Sequence, residues 1–211
     1  MSRPRSVSDE QILQTVRRCA LEQGANFSLD DVADRLGVSS PALLKRFGTR
    51  DRLVFAALKP PSPDFLSALE QGPTHAPLRA QLKEILASFT GFFSQVFPCM
   101  MVLRESNISW QKMSSLHDDA PTVAARKAIH GWLSRARKAG IVKADEVETA
   151  ASAMIGAVIA RIALDHISKI PLRSVEQSAF VEELASLFSR SLATSDPEHK
   201  PGRRKKKEPI Q

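Results

Sequence analysis

The sequence predicts an all-α fold, with a small N-terminal group of short helices followed by a larger helical domain. Three observations carry this. Apolar residues recur at spacings of three and four along most of the 211-residue chain, the period of one helix face. Almost no segment alternates with period two, and tyrosine is absent. Gly140, Pro73, Pro121 and Pro171 fall between periodic segments, where they punctuate helix ends rather than mark domain linkers.

The first helix is expected over Asp9–Gln23, with Ile12, Val16, Cys19 and Ala20 at i, i+4, i+7 and i+8 and Gly24 as a left-handed stop. Ser28-Leu29-Asp30-Asp31 has the Ser-x-x-acid pattern that starts a second helix. That helix ends at Leu36 before Gly37, with Val32, Ala33 and Leu36 inward. Ser39 or Ser40 caps a short third helix with Pro41 in its first turn, where a missing N–H costs nothing; it ends at Phe47 and Gly48. Thr49 caps a fourth, carrying Leu53, Phe55, Ala56 and Leu58 until Pro60-Pro61-Ser62-Pro63 interrupts it. A shorter continuation passes through Phe65, Leu66 and Leu69. From Leu78, the residues Leu82, Ile85, Leu86, Phe89, Phe92, Phe93, Val96 and Phe97 share an arc of roughly 140°, a core-facing stripe. Pro98 is expected to close this helix, and a separate one to cover 100–114. Later helices are expected over Pro121–Lys138, with Val123, Ile129, Trp132 and Leu133 inward, over 145–168 and over 175–192. No internal repeat is visible, and the expected division is 1–58, 59–194 and a tail at 195–211.

Composition sets the outer bounds. With 43% apolar and 25% charged residues the chain is ordinary globular material, which excludes disorder throughout. The longest apolar stretch, 89–103, is broken by Thr90, Ser94, Gln95 and Pro98, short of the roughly 18 to 20 apolar residues of a membrane span. A soluble protein with no membrane partner is therefore expected. Residues 1–11 lack the apolar segment of a secretory signal, which points to the cytoplasm. Cys19 and Cys99 lie far apart and outside any Cys-x-x-Cys pattern, and are expected to be reduced, partly buried thiols. The net charge of +7 is spread as +2 over 1–58, +2 over 59–194 and +3 in the tail. The tail run Gly202-Arg203-Arg204-Lys205-Lys206-Lys207 has no apolar residue and is expected to be disordered. It reads either as a solubilising tail or as an arm acting on DNA phosphates through charge alone.

No catalytic, metal or cofactor apparatus is visible. His75, His117, His130, His166 and His199 include no pair at i, i+3 or i+4, and neither cysteine joins one. His117-Asp118-Asp119 is the one His–carboxylate cluster. Beside Pro121 it is more simply a helix start with acidic residues at the positive dipole end. Gly-x-Gly-x-x-Gly, Gly-x-x-x-x-Gly-Lys and Gly-x-Ser-x-Gly loops are absent.

The second helix, the turn Gly37-Val38-Ser39 and the short third helix have helix-turn-helix spacing. The run Leu29-Asp30-Asp31-Val32-Ala33-Asp34-Arg35-Leu36-Gly37-Val38-Ser39-Ser40-Pro41-Ala42-Leu43-Leu44-Lys45-Arg46-Phe47-Gly48-Thr49-Arg50-Asp51-Arg52-Leu53 resembles the DNA-binding domain of TetR-family transcriptional regulators. The specific match spans about residues 9–58; the remainder agrees in being helical and of the length of that family's ligand-binding and dimerisation domain. The resemblance implies that Ser39, Ser40, Pro41, Ala42, Leu44 and Lys45 lie on the helix that enters the major groove of double-stranded operator DNA. Ser28, Arg46 and Arg50 would meet phosphates. Lys45 is the candidate for base readout, since its ammonium can donate to guanine O6 and N7; a further phosphate contact is the alternative. Leu44 and Arg46 replace the family's usual aromatic and His residues, so Lys45 and Arg46 would compensate electrostatically. Arg3 and Arg5 read as a minor-groove arm or a frayed terminus.

Two groups further along bear on control. Phe89, Phe92, Phe93, Phe97, Trp110 and Trp132, with Met100, Met101, Met113 and Met154, read singly as core and together as an adaptable apolar cavity. The resemblance implies a pocket for a small apolar or aromatic effector here, with Phe89, Phe93, Phe97, Met101, Trp110 and Trp132 as lining. In 145–168, Val147, Met154, Ile155, Val158 and Ile162 share one face, and Ala153, Gly156, Ala160 and Ala163 form a small-residue face roughly opposite. A helix apolar on two sides must be covered twice. It is either buried within one domain or shared with a second chain, with Val181, Leu184, Phe188 and Leu192 completing a homodimer interface. The sequence thus reads as a homodimeric DNA-binding repressor released by an effector. The rivals are a partner-controlled or architectural DNA-binding protein without an effector and, more remotely, a helical enzyme.

Overall fold

The computed structural model describes residues 7–60, 65–109, 120–143, 145–168 and 174–193. These form α1 (Asp9–Gln23), α2 (Leu29–Leu36), α3 (Ser40–Phe47), α4 (Arg50–Leu58), α5 (Phe65–Gln71), α6 (Leu78–Glu105), α7 (Pro121–Lys138), α8 (Val147–Ser168) and α9 (Ser174–Leu192). Among the described residues the extended pairing is limited to one isolated bridge between Val142 and Ala193.

The short N-terminal helices begin where side chains can satisfy orphan amides. Ser8 forms a full capping box with Gln11, its Oγ accepting from the Gln11 amide at 3.2 Å and its own amide donating to Gln11 Oε1 at 2.9 Å. Asp9 and Glu10 follow at the positive end of the helix dipole. Ser28 caps α2 by accepting from the Asp30 amide, and Thr49 caps α4 by accepting from the Arg52 amide. Gly37 ends α2 at φ 65°, ψ 34°, a left-handed conformation that glycine adopts without a Cβ penalty.

Among the described residues two apolar cores result. The first gathers Ile12, Val16, Cys19, Val32, Leu43, Leu53 and Leu58 from α1–α4, together with Cys99, Val102 and Leu103 of α6 and Ile108 just beyond it. The second packs α5 to α9 around Leu82, Leu86, Phe89, Phe93, Trp132, Leu133, Met154 and Val158. Helix α6 therefore belongs to both, and the changeover falls at Pro98. The exposed edge of the second core is tied by Glu182 of α9, which pairs with Arg79 at 2.5 Å and Lys83 at 2.7 Å on α6. Hydrogen bonding to these cations holds the Glu182 carboxyl below the usual range.

This corrects one element. Pro98 does not close a helix: α6 runs through it to Glu105, and residues 100–105 belong to α6 rather than to a separate helix. Pro98 cannot donate to the Ser94 carbonyl, a loss that ordinarily breaks a helix. Burial of Val96, Cys99, Val102 and Leu103 on either side of it holds both halves in line. The neighbouring Gln95 carbonyl accepts from Cys99 Sγ at 3.6 Å and lies 3.5 Å from Arg17 Nη2 of α1. The chain turns out of α6 at Asn107, φ 54°. Residues 110–119, with Trp110, Met113 and His117-Asp118-Asp119, lie outside the described residues, as do Arg3, Arg5 and the tail.

Helices α6 and α8 each contain an 18-residue window of mean hydropathy 1.6, long and apolar enough by length and composition to cross a bilayer. The expectation that no stretch reaches that threshold counted only uninterrupted apolar residues. Both are the central helices of the second core, which accounts for their apolarity.

Candidate nucleic-acid interface

The geometry of α2 and α3 follows from the turn between them. After the Gly37 stop, the Val38 amide donates to the Ala33 carbonyl at 3.0 Å, and Gly37 donates to Asp34 at 3.2 Å. These bonds close the last turn of α2 and aim the chain into α3. Leu43 is fully buried and Phe47, Leu36 and Val38 pack against the same core, so one side of α3 is anchored. The opposite side presents Ser39, Pro41, Ala42, Lys45 and Arg46 to solvent, while Ser40 and Leu44 are half-buried. Pro41, Ala42 and Lys45 share that face through i, i+1, i+4 spacing.

The basic residues divide by what they touch. Lys45 is exposed and makes no ion pair with the described residues, so its ammonium is available. Arg46 donates to the Val7 carbonyl at 2.6 Å and pairs with Asp9 at 2.5 Å, fastening α3 to the start of α1. Arg50 is half-buried, donates to the carbonyls of Ala25 and Phe27 at 2.8 and 3.2 Å, and lies over the Phe27 ring at 4.9 Å. In this structure Arg46 and Arg50, expected at phosphates, are both engaged within the chain. Ser28 serves as the α2 cap, and Ser40 Oγ donates to Asp30 Oδ1, so Ser40 ties α3 to α2 while Ser39 occupies the cap position without a side-chain bond. The partners Val7, Ala25 and Phe27 escape sequence reasoning because their carbonyls leave no residue-type signal. Only the Arg46–Asp9 charge complementarity is visible in the sequence.

The remaining expected residues are distributed as follows. Phe89, Phe93 and Trp132 are buried, and Phe97 and Met101 are half-buried. They pack as core: Phe65 meets Phe89 edge-to-face at 4.6 Å and Phe92 at 5.3 Å, and Phe97 meets His166 at 5.7 Å. The two clefts described lie elsewhere. One of about 620 Å³ is lined by Lys143, Asp145, Thr149, Ala153, Phe188 and Leu192, and one of about 550 Å³ by His130, Ser134, Arg137 and Glu148. On α8, Val147, Met154, Ile155, Val158 and Ile162 are buried, while Ala153, Gly156 and Ala160 are exposed and Ala163 half-buried. Val181, Leu184 and Leu192 of α9 turn into the chain's own core, and Phe188 packs against its edge. Leu164, Ile167 and Leu187 are exposed instead, at 61%, 75% and 53%.

Cys19 and Cys99 are both fully buried, where the sequence suggested partial burial. Loss of solvation pushes both thiols above their ordinary value, with Arg35 opposing this at Cys19 and Arg17 at Cys99.

Residues 12–57 match the family model of bacterial regulatory proteins, tetR family. No match is found among curated protein sequences. Solved structures share the fold. A TetR transcriptional regulator from Streptomyces coelicolor is 21% identical over 90% of this chain and 100% of its own, with a TM-score of 0.52. The regulator FadR from Bacillus subtilis in complex with stearoyl-CoA is 13% identical over 88% and 100%, with a TM-score of 0.63. NalD of Pseudomonas aeruginosa, the secondary repressor of a multidrug efflux pump, is 15% identical over 88% and 96%, with a TM-score of 0.59. With a helix-turn-helix whose α3 presents Lys45 to solvent, residues 12–57 are similar to the domain of bacterial regulatory proteins of the tetR family, and the chain shares its fold with solved TetR-type regulators.

Proposed function

We propose that the chain is a cytoplasmic homodimeric repressor that leaves its operator when a small apolar or aromatic effector binds to the domain at 59–194, with 1–58 as the DNA-binding domain. The observation that carries this reading is the sharing of α6 between two cores, with the changeover at Pro98. A ligand that repacks the first part of α6 must strain or shift Cys99, Val102 and Leu103 in the core beneath α1 and α4. The lever in this reading is α6. Two relatives lend support: FadR was solved with stearoyl-CoA and NalD is a repressor.

Dimerisation is supported by the apolar surface left on α8 and α9. Ala153, Gly156 and Ala160 are small enough for close helix approach, Leu164 and Ile167 stand exposed further along α8, and Leu187 is exposed on α9. A two-fold pair sets the two α3 helices against half-sites about 34 to 36 Å apart, and one short helix reads too few bases for useful specificity. On α3, Ser39, Pro41, Ala42 and Lys45 form the groove-facing surface.

The close edge-to-face packing of Phe65, Phe89 and Phe92 favours a second reading, in which the regulator answers to a protein partner and holds no effector. The experiment selects an operator from random duplexes, then screens apolar and aromatic compounds by thermal shift and measures operator affinity with each hit. The effector reading expects a hit that lowers affinity by about 5- to 150-fold, with operator DNA weakening that compound's binding by the same factor. Hits without effect on the operator, or no hits, support the partner-controlled reading. Lys45→Ala is expected to weaken operator binding by about 1 to 3 kcal/mol and to relax preference at one base pair. Uniform weakening of matched and mismatched duplexes would make Lys45 a phosphate contact.

A further inference from the structure

Ala151, Met154, Val158, Arg161 and Asp165 follow one another along α8 at spacings of three and four, the stripe that turns toward a core. The first three are fully buried. The last two are charged, so the core-facing stripe of a mostly apolar helix ends in a cation and a carboxylate. Their geometry does not offset the cost of placing them there. Arg161 Nε and Asp165 Oδ2 stand 3.6 Å apart, too far for a hydrogen bond. Both atoms are enclosed, and neither has a hydrogen-bond partner among the described residues. Enclosed polar atoms in this condition destabilise the chain that holds them, whereas apolar side chains of similar volume at the same positions would not.

Aromatic rings border the pair. The Arg161 guanidinium lies over Phe180 of α9 at 5.8 Å, and Phe97 of α6 meets His166, the residue after Asp165, edge-to-face at 5.7 Å. Both phenylalanines are half-buried. The outer parts of the two charged side chains reach solvent, with 37% and 22% of each exposed, so a small molecule reaches the enclosed atoms once the guanidinium and the rings turn aside. Phe97 immediately precedes Pro98, where α6 passes from one core to the other, and a displaced Phe97 bears directly on that point. The two atoms also select the group that satisfies them. Nε–H requires an acceptor and Oδ2 requires a donor; a carboxylate cannot donate to Asp165, and an ammonium cannot accept from Arg161. A neutral hydroxyl or amide does both.

We propose that the effector is an uncharged molecule with a flat apolar body and a hydroxyl or amide head, the head held by Arg161 and Asp165 and the body lying against Phe97 and Phe180. The proposal rests on the effector reading above and names the chemistry of that effector. Because the head meets these atoms only after the rings have moved, the ligand favours the rearranged chain, which is the differential affinity a switch requires.

The test uses the full chain and four probes with one naphthalene body, naphthalenemethanol, naphthamide, naphthoate and methylnaphthalene, all substituted at the same carbon, with binding read by equilibrium dialysis. The alcohol and the amide should bind about 10- to 100-fold more tightly than the hydrocarbon and the anion, the effect of hydrogen bonds to charged groups. Arg161→Met with Asp165→Leu should abolish that preference without lowering stability to urea. Asp165→Asn, whose amide can donate to a carboxylate, should invert it and make naphthoate the tightest of the four, a change that a merely structural pair would not produce. This inversion carries the test alone if the double variant fails to fold. Equal binding of the four probes, binding of none, a preference that survives the double variant or the lack of inversion would each overturn the proposal. A probe that follows these rules yet leaves operator affinity unchanged would overturn the effector reading and leave the binding site standing. A compound that releases the operator equally well from the parent and from Asp165→Asn would overturn the site and leave the effector reading standing.

Discussion

Replacing Gly156 by leucine separates the protomer's own stability from its dimerisation. A Cβ built at Gly156 meets nothing within 4 Å, and the residue is exposed on α8, so the chain itself has room for the larger side chain. Within a helix, leucine is better than glycine by somewhat under about 1 kcal/mol, so the folded protomer should become slightly more stable. If α8 is the dimer face, the same side chain enters a close helix contact, where overpacking costs about 1 to 3 kcal/mol per site. Two-fold symmetry brings the site in twice, for about 2 to 6 kcal/mol. At about 1.4 kcal/mol per tenfold, dimer dissociation should rise by about 30-fold to 10⁴-fold. Sedimentation equilibrium over a concentration series reads this directly, with circular dichroism and a urea titration establishing that the variant is folded. A folded variant with the parent's dimer affinity would move the interface away from Gly156. A variant that unfolds would contradict the open space around this residue and favour α8 as a helix buried within one domain.

Other outcomes are expected. Arg50→Ala removes two hydrogen bonds to the Ala25 and Phe27 carbonyls and the contact over the Phe27 ring, so urea denaturation should show a loss of about 2 to 3 kcal/mol; parental stability with weakened DNA binding would make it a phosphate ligand instead. Pro98→Ala restores a donor for the Ser94 carbonyl, and its unfolding free energy should rise by up to about 3 kcal/mol, whereas a drop would show that the core on either side is built to the proline's own backbone shape. Cys19 and Cys99 should resist a thiol reagent until the chain unfolds. Because burial raises both thiols, the unfolded state alone releases these protons above about pH 8.5, so stability should be unaffected below that pH and fall as pH rises further. Replacing both cysteines by alanine should remove that alkaline loss, and an unchanged slope would assign it to other groups.

Much of the fold was legible because it is set by local rules. The capping residues Ser28 and Thr49, the stop at Gly37 and the apolar spacing of α1, α7 and α8 are decided within one or two turns of chain. The continuous run across α2 and α3 was enough to bring out the likeness of residues 12–57 to the tetR-family domain. What the sequence could not decide is set by atoms distant along the chain. Pro98 breaks a helix by every local rule, yet α6 continues through it because two cores, one on each side, hold both halves in line. Arg46 and Arg50 have the charge of phosphate ligands, but backbone carbonyls of Val7, Ala25 and Phe27 occupy them, and a carbonyl has the same identity in every residue. The aromatic group read equally well as core or cavity, since composition records which side chains are present and only packing records whether space remains between them. Leu184 and Leu187 are three residues apart on one helix. Which of them meets the core depends on how α9 is rotated against α6, a choice made by the Arg79–Glu182–Lys83 contacts and the fit of the whole second core.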